Sequence, residues 1–388
     1  MKVAVTTLAF CVAALLSLGL VMLYSSSMNI EIKHSGGLRV GTGLLMSQIV
    51  WCVFGLVACV VAAAVDYRLL RKFAWPIFVV TLLMLVAILV LPKPFVKPIN
   101  GAKRWFMLPG GSFQPSEIAK IALIIVMAWY CERFQRQMHT LTRGVIIPGG
   151  IIVLMLGLIF VEPDRGTTIL LAAVSGSMLL LAGVRWRFIV PPVLLAIAGL
   201  AFSLWRDPMR MRRIFSWLYL EEHKEGVGYQ AYQAMIALGS GGWFGLGLGN
   251  GRQKLGFVPE HHTDFILSII GEELGLVATL GVVLGFVLIV ICGVYIATHA
   301  RDTFGTMLAS GITFLIGLQA FINVGVVTSA LPNKGLALPF ISYGGSNLLA
   351  MLACVGLLFS VARQARVTEF KPANPFTGDE FPSPQPTA

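Results

Sequence analysis

The chain has 388 residues, of which 57% are apolar and only 12% charged, with a formal net charge of +11. A soluble domain carries roughly twice that share of charge, so a water-soluble globule is excluded and a membrane-embedded chain is indicated. The positive balance does not point to nucleic acid, because no soluble basic domain exists to hold it.

Long apolar runs recur, each near the ~20 residues that cross a bilayer. In chain order they fall at about 5–24, 44–65, 75–91, 116–131, 144–161, 168–183, 188–205, 264–297, 304–324 and 343–362. The first follows Met1-Lys2 and ends in Ser25-Ser26-Ser27. It has no small-x-small cleavage site and reads as an uncleaved first span. The eighth is longer than one span needs, so part of it lies outside the hydrocarbon or tilts. The predicted fold is all-α and polytopic. Residues 1–370 form one membrane domain of about ten transmembrane helices, with a long outer loop between helices seven and eight. The Pro-, Ser- and Thr-rich tail 371–388 is expected to be disordered and cytoplasmic.

Orientation follows from the short loops. Arg68, Arg71, Lys72, Arg133, Arg136, Arg143, Arg185, Arg187, Arg301, Arg363 and Arg366 fall on one side of a ten-span chain. The positive-inside rule makes that side cytoplasmic, with both termini inside. The other side carries Lys93, Lys97, Lys103, Arg104, Arg165, Arg206, Arg210, Arg212, Arg213, Arg252, Lys254 and Lys334, which that rule does not ask for. Either the long outer loops escape the rule, or an anionic ligand such as a lipid phosphate is handled there.

Six cysteines lie in or beside apolar runs without a CxxC pair, so they read as small buried hydrophobes. No GxxxxGK[ST] or dinucleotide fingerprint is present, so ATP-driven transport within this chain is unsupported.

The outer loops, in order, look like parts of a site. Asn100-Gly101-Ala102-Lys103-Arg104-Trp105 joins a turn, two cations and an aromatic; Arg forks onto phosphate and Trp anchors at the interface. Span four opens with Gln114-Pro115-Ser116-Glu117 and Lys120, a Pro suited to a first helical turn and an i, i+3 ion pair. Glu162-Pro163-Asp164-Arg165-Gly166-Thr167 is a tight turn with a capped helix start; its acids are candidates for a cation or for the basic loops. The stretch from about Arg206 to His262 holds Arg210, Arg212 and Arg213, then Gly228-Tyr229-Gln230, then the glycine-dense run 239–247. Its Trp, Phe and Leu argue against disorder. Its glycines permit close backbone approach, without the spacing of a phosphate loop.

Residues 259–275, PEHHTDFILSIIGEELG, are the most informative. Thr263 is the expected N-cap, which puts Asp264 at the positive end of a helix dipole. Asp264, Ser268 and Glu272 then share one face. Glu272 and Glu273 lie within an apolar run, where ionisable groups are costly and need a partner. A cross-helix pairing is expected for Glu117, Lys120, Glu272 and Glu273. Finally, 331–346, with two prolines, three glycines and Lys334, reads as a broken segment, tolerated only inside protein or along a cavity.

Together NGAKRW, FQPSEIAK, EPDRGT, the run from GYQAYQAM to IIGEELG, and LPNKGLALPFISYGGS resemble the SEDS family (shape, elongation, division and sporulation) in family order over residues 100–346. Pro332-Asn333-Lys334-Gly335 is closer to its division branch, FtsW, than to its elongation branch, RodA. Ser329, Asn347 and Arg165 depart from the family pattern. The resemblance implies a SEDS-type fold and a peptidoglycan glycosyltransferase. The enzyme would polymerise lipid II at the outer face of the bacterial cytoplasmic membrane, with a class B penicillin-binding protein and other divisome proteins as partners. It implies Asp264 as the catalytic base, with His262 the runner-up. The candidate substrate-binding residues are Lys103, Arg104, Glu117, Lys120, Arg213, Gln230, Lys254, His262, Lys334, Ser342 and Ser346. No cofactor is certain; Mg²⁺ or Mn²⁺ is a possible one, with ligands too dispersed to assign. The alternatives are a lipid II flippase, which needs polar groups through the whole membrane depth, and a non-catalytic division scaffold.

Overall fold

Each long apolar run forms a helix, because in hydrocarbon a span must satisfy its own backbone. The computed structural model describes residues 1–27, 42–92, 96–99, 102–108, 111–206, 208–226, 228–255, 262–333 and 335–365. The tail 371–388 and Lys334 lie outside the described residues. In chain order the helices are α1 (Lys2–Ser27), α2 (Thr42–Ala64), α3 (Arg68–Val90), α4 (Pro115–Arg133), α5 (Ile147–Val161), α6 (Arg165–Leu181), α7 (Trp186–Trp205), α8 (Pro208–Leu218), α9 (Tyr229–Ser240), α10 (Ile266–Thr298), α11 (Thr303–Val327) and α12 (Gly345–Arg363).

Eight are long and apolar enough to cross a membrane: α1, α2, α3, α5 with its preceding π-helical turn, α7, α10, α11 and α12. The two others expected to span fall short of that measure. α6 has 17 residues, and α4 carries Glu117, Lys120, Glu132 and Arg133. α4, α11 and α12 fill the centre of the bundle, whereas α2, α3 and α7 expose apolar side chains along their lengths, as lipid-facing helices do. All six cysteines are buried and reduced.

The connection before α4 departs from the all-α expectation. β1 (Val96–Ile99), β2 (Ala102–Leu108) and β3 (Gly111–Phe113) form an antiparallel sheet in that order. Prolines and glycines recur there every few residues, too closely for a helix. Pro98 sits on an outer strand opposite Lys103, where its missing N–H costs nothing.

One end of the bundle gathers the short loops. Arg68 bridges Asp302 at 3.0 Å and Arg71 bridges Glu132 at 3.0 Å. The Tyr67 hydroxyl donates to Asp302, and the Arg363 guanidinium donates to the Ala64 carbonyl. α12 ends here, and α1 starts here, since its far end at Ser25 reaches the long-loop end. The long connections, and the residues singled out from the sequence, collect at that opposite end.

Candidate active site at the long-loop end

The site is built on a broken helix. At Gly275 the backbone of α10 takes φ 78°, ψ −174°, so residues 266–274 form a short half at the long-loop end and the rest a full span. This is how the overlong eighth run is accommodated. The glycine-rich loop after α9 fills the break. The amides of Leu276 and Val277 donate to the carbonyls of Gly242 and Trp243, while the amides of Leu246 and Gly247 donate to the carbonyls of Glu272 and Glu273. Two orphan carbonyls of the first half-helix and two orphan amides of the second are thus satisfied. A Cβ on Gly245 would collide with the Glu273 carbonyl oxygen, and one on Gly275 would collide with the Gly245 nitrogen. The glycines therefore serve close approach to the chain's own helix. Leu246, Gly247 and Gly249 give their amides to α10 and to Glu273, so these amides are not presented to a phosphate.

The acids beside the break have built partners. Glu273 accepts from Lys254 Nζ at 2.7 Å, from the Ser25 hydroxyl, and from the Gly249 amide. Lys254 Nζ also donates to Ser25 Oγ and to the Gly249 carbonyl. Lys254 is buried with its donors committed, which corrects its assignment to a phosphate-facing surface. Glu272 accepts from the amides of Arg252 and Gln253.

The expected N-cap is also corrected. α10 begins at Ile266 with Phe265 at the cap and no side-chain cap bond. Residues 262–265 are turns, so Asp264 stands before the helix and does not share a helical face with Ser268 and Glu272. The Ser268 hydroxyl turns back to the Phe265 carbonyl.

The turn that carries Asp264 is met by α11 and by the segment 335–344. Asn323 on α11 donates to the Asp264 carbonyl at 2.8 Å and to the Leu336 carbonyl at 2.7 Å. Gly335 lies against the carboxylate: a Cβ there would be 2.6 Å from Asp264 Oδ2. The Tyr343 amide donates to the His262 carbonyl, and the two rings lie 5.9 Å apart between centroids. The segment 335–344 is non-helical and largely buried in protein, as its composition predicted.

The buried charges of α4 hold that segment from below. Lys120 Nζ donates to both Glu117 oxygens, at 2.9 and 3.0 Å, and to Gln319 Oε1 at 3.1 Å. The ion pair lies within α4, and only Gln319 makes it cross-helix. Gln319 Nε2 in turn donates to the Ala337 carbonyl and to Asn347 Oδ1. Glu117 and Lys120 are 6% and 1% exposed, which sets them under the site as supports. Ser342 and Ser346 are supports as well. The Leu338 amide donates to Ser342 Oγ and the Gln114 amide to Ser346 Oγ, while Gln48 on α2 bonds Ser342 and Gly344.

Arg104 reaches from β2 to the turn between α5 and α6, donating to the carbonyls of Glu162 and Pro163. It binds main chain, not the acids of that turn. Asp164 caps α6 by accepting from the Thr167 amide and hydroxyl, and it also accepts from Gln114. Lys103 is half-buried on β2. Arg213 on α8 is exposed and lines a small cavity with Trp217, Ser329 and Asn333. Trp217 donates to the Ser329 carbonyl; Ser329 takes φ 56°, a conformation that favours glycine. Gln230 opens α9 half-buried, with its Nε2 unpartnered among the described residues.

Sequence reading missed Gln319, Asn323 and Gln48, which tie α11 and α2 to Asp264 and the 335–344 segment. The signal was there: Gln319 and Asn323 are amides at i, i+4 in an otherwise apolar span. Among the described residues no three His, Cys, Asp or Glu side chains come together as a metal cage.

A multi-pass helical bundle with a polar site at one end, built on a broken helix and a buried non-helical segment, defines a class of membrane protein. A family model described as "Cell cycle protein", covering FtsW, RodA and SpoVE, matches residues 6–367, and the chain belongs to that family. It is 40% identical over 351 residues to a probable peptidoglycan glycosyltransferase FtsW of Trichlorobacter lovleyi, covering 90% of this chain and 91% of the other. With the protein of the same name from Geobacter metallireducens it shares 41% over 355 residues, covering 92% and 93%. Among solved structures it resembles a chain of "Structural coordination of polymerization and crosslinking by a peptidoglycan synthase complex", with TM-score 0.76, 26% identity, and coverage of 92% and 96%. The rod shape determining protein RodA of Thermus thermophilus matches with TM-score 0.68, 27% identity, and coverage of 92% and 96%.

Proposed function

We infer that this chain is a peptidoglycan glycosyltransferase that polymerises lipid II into glycan strands, in cell division, at the outer face of a bacterial cytoplasmic membrane. The observation that carries the reading is Asp264, its main chain held by Asn323 and its carboxylate packed against Gly335, where a Cβ would collide with it. The relatives' shared name supplies the reaction class.

In this reading a sugar hydroxyl attacks the anomeric carbon of a second lipid-linked sugar, and undecaprenyl pyrophosphate leaves. A hydroxyl is a poor nucleophile at neutral pH, so Asp264 accepts its proton as attack proceeds. The leaving pyrophosphate is stable as an anion and needs no dedicated carboxylic acid opposite the base. Arg104, Arg213 and Lys334 are the cations assigned to its charge, with Lys103 beside them. About ten crossings put both termini in the cytoplasm, by the positive-inside rule. A class B penicillin-binding protein is the expected partner, in line with the crosslinking complex that contains a structural relative.

The test is a lipid II polymerisation assay on purified chain, with and without that partner. Glycan strands that disappear with Asp264→Asn support the reading. Lipid II crossing vesicles without polymer would make the chain a flippase, and neither activity would make it a scaffold.

A further inference from the structure

Glu162, at the end of α5, is an acid without a role so far. The residue is 1% exposed, and both carboxyl oxygens are buried with no hydrogen-bond partner among the described residues. A buried carboxylate in that condition is strongly unfavourable, so the group keeps its proton. The charged groups that face it are Asp164 on the same turn and Arg104 from β2. Asp164 is committed to Thr167 and Gln114. Arg104 is committed to the carbonyl oxygens of Glu162 and Pro163, not to the Glu162 carboxyl. Arg165 on α6 turns elsewhere: it donates to Ser203 on α7 and lies 5.1 Å from the Phe160 ring centroid. Burial first, then Asp164, push the Glu162 carboxyl up to about 8, with Arg104 acting against them.

We propose that Glu162 is a positioning residue that must hold its proton for the site to work: neutral, it leaves Arg104 on the two main-chain oxygens with the rest of its N–H fork open to an anionic substrate group; ionised, it draws the guanidinium onto itself. This rests on the glycosyltransferase reading above. The proton lost on ionisation goes to solvent, and no covalent step is involved. Glu162 acts through Arg104 and does not touch the reacting atoms.

Two measurements on the full chain test this, each comparing wild type with Glu162→Gln, which keeps the neutral shape. The first is kcat/KM for lipid II polymerisation with the partner, from pH 6.5 to 9.5. Wild type should fall above pH 8, reaching about a tenfold deficit against Glu162→Gln near pH 9, as for one ionisation. The second is thermal unfolding in detergent, which needs no turnover. A folded-state value above the unfolded one means the acid's contribution is complete below ~pH 4.3 and lost as pH rises towards the folded value. The midpoint of Glu162→Gln minus that of wild type should therefore grow between pH 5 and 8 and then level off. A difference that is flat across that range overturns the proposal, as does the same alkaline fall in both proteins. A preparation that makes no polymer at any pH defeats the functional reading instead, and the unfolding series still decides whether Glu162 holds its proton.

Discussion

The two ends of the bundle hold their charges by opposite means. At the short-loop end the pairs are part-exposed: Arg68–Asp302 is 38% and 26% exposed, and Arg71–Glu132 is 51% and 16%. At the long-loop end they are sealed: the side chains of Lys254 and Glu273 are 2% and 0% exposed, and those of Lys120 and Glu117 1% and 8%. Exposed pairs contribute little and tolerate loss, because water replaces a missing partner. Buried pairs tolerate no loss of one member, because the survivor is left charged in a medium that cannot solvate it. The short-loop end is closed by interchangeable contacts, whereas the long-loop end is fixed in one geometry around Asp264.

That contrast can be broken most sharply at Asp264 itself. Asp264→Asn should cut polymerisation by about 10²–10⁴-fold, the usual range for a removed general base, while the thermal midpoint stays near wild type. Strand synthesis on gels, beside a melting curve, reads both. Comparable loss of turnover and of midpoint would place Asp264 among the supports.

Next comes the buried pair at the break. Lys254→Met leaves Glu273 uncompensated and should cost ~3–5 kcal/mol, read by denaturation in detergent. Adding Glu273→Leu should restore much of that stability, and a double variant no better than the single would show that the charge was not the problem. A smaller effect is expected for Gly275→Ala, where the backbone conformation alone costs about 1–3 kcal/mol before the contact with Gly245. Gly281→Ala is the internal control, since a Cβ there meets nothing within 4 Å. Smallest of all, Arg71→Ala at the short-loop end should stay within about 1 kcal/mol. A loss there as large as that for Lys254→Met would erase the distinction between the ends.

The sequence displayed the helices and concealed the joins. Ten apolar runs announce the helices, eight of them among the described residues long and apolar enough to span, because each run is a contiguous stretch with a fixed length requirement. The Glu117–Lys120 pair was legible because i, i+3 spacing is local. Lys254–Glu273 was not: its meaning depends on a loop folding back 19 residues later onto Ser25, 229 residues earlier in the chain than Lys254. The glycine run announced close approach without saying to what. The N-cap at Thr263 failed because residues 262–265 are turned by Asn323 and Tyr343, partners brought by tertiary structure. The small sheet was missed because its strands are short and carry no strong alternation.

The break in α10 also bears on how the protein is made. A 33-residue helix would be about 50 Å long at 1.5 Å per residue, against a hydrocarbon core of ~30 Å. As the run leaves the ribosome, any register of some twenty residues within it meets the thickness of the bilayer. The depth of the finished span is then chosen afterwards, when the loop through Gly242–Gly247 bonds to both sides of Gly275. A defect in that loop would therefore surface as a helix sitting at the wrong height, carrying Asp264 away from the headgroup plane where a lipid-borne substrate presents its sugar.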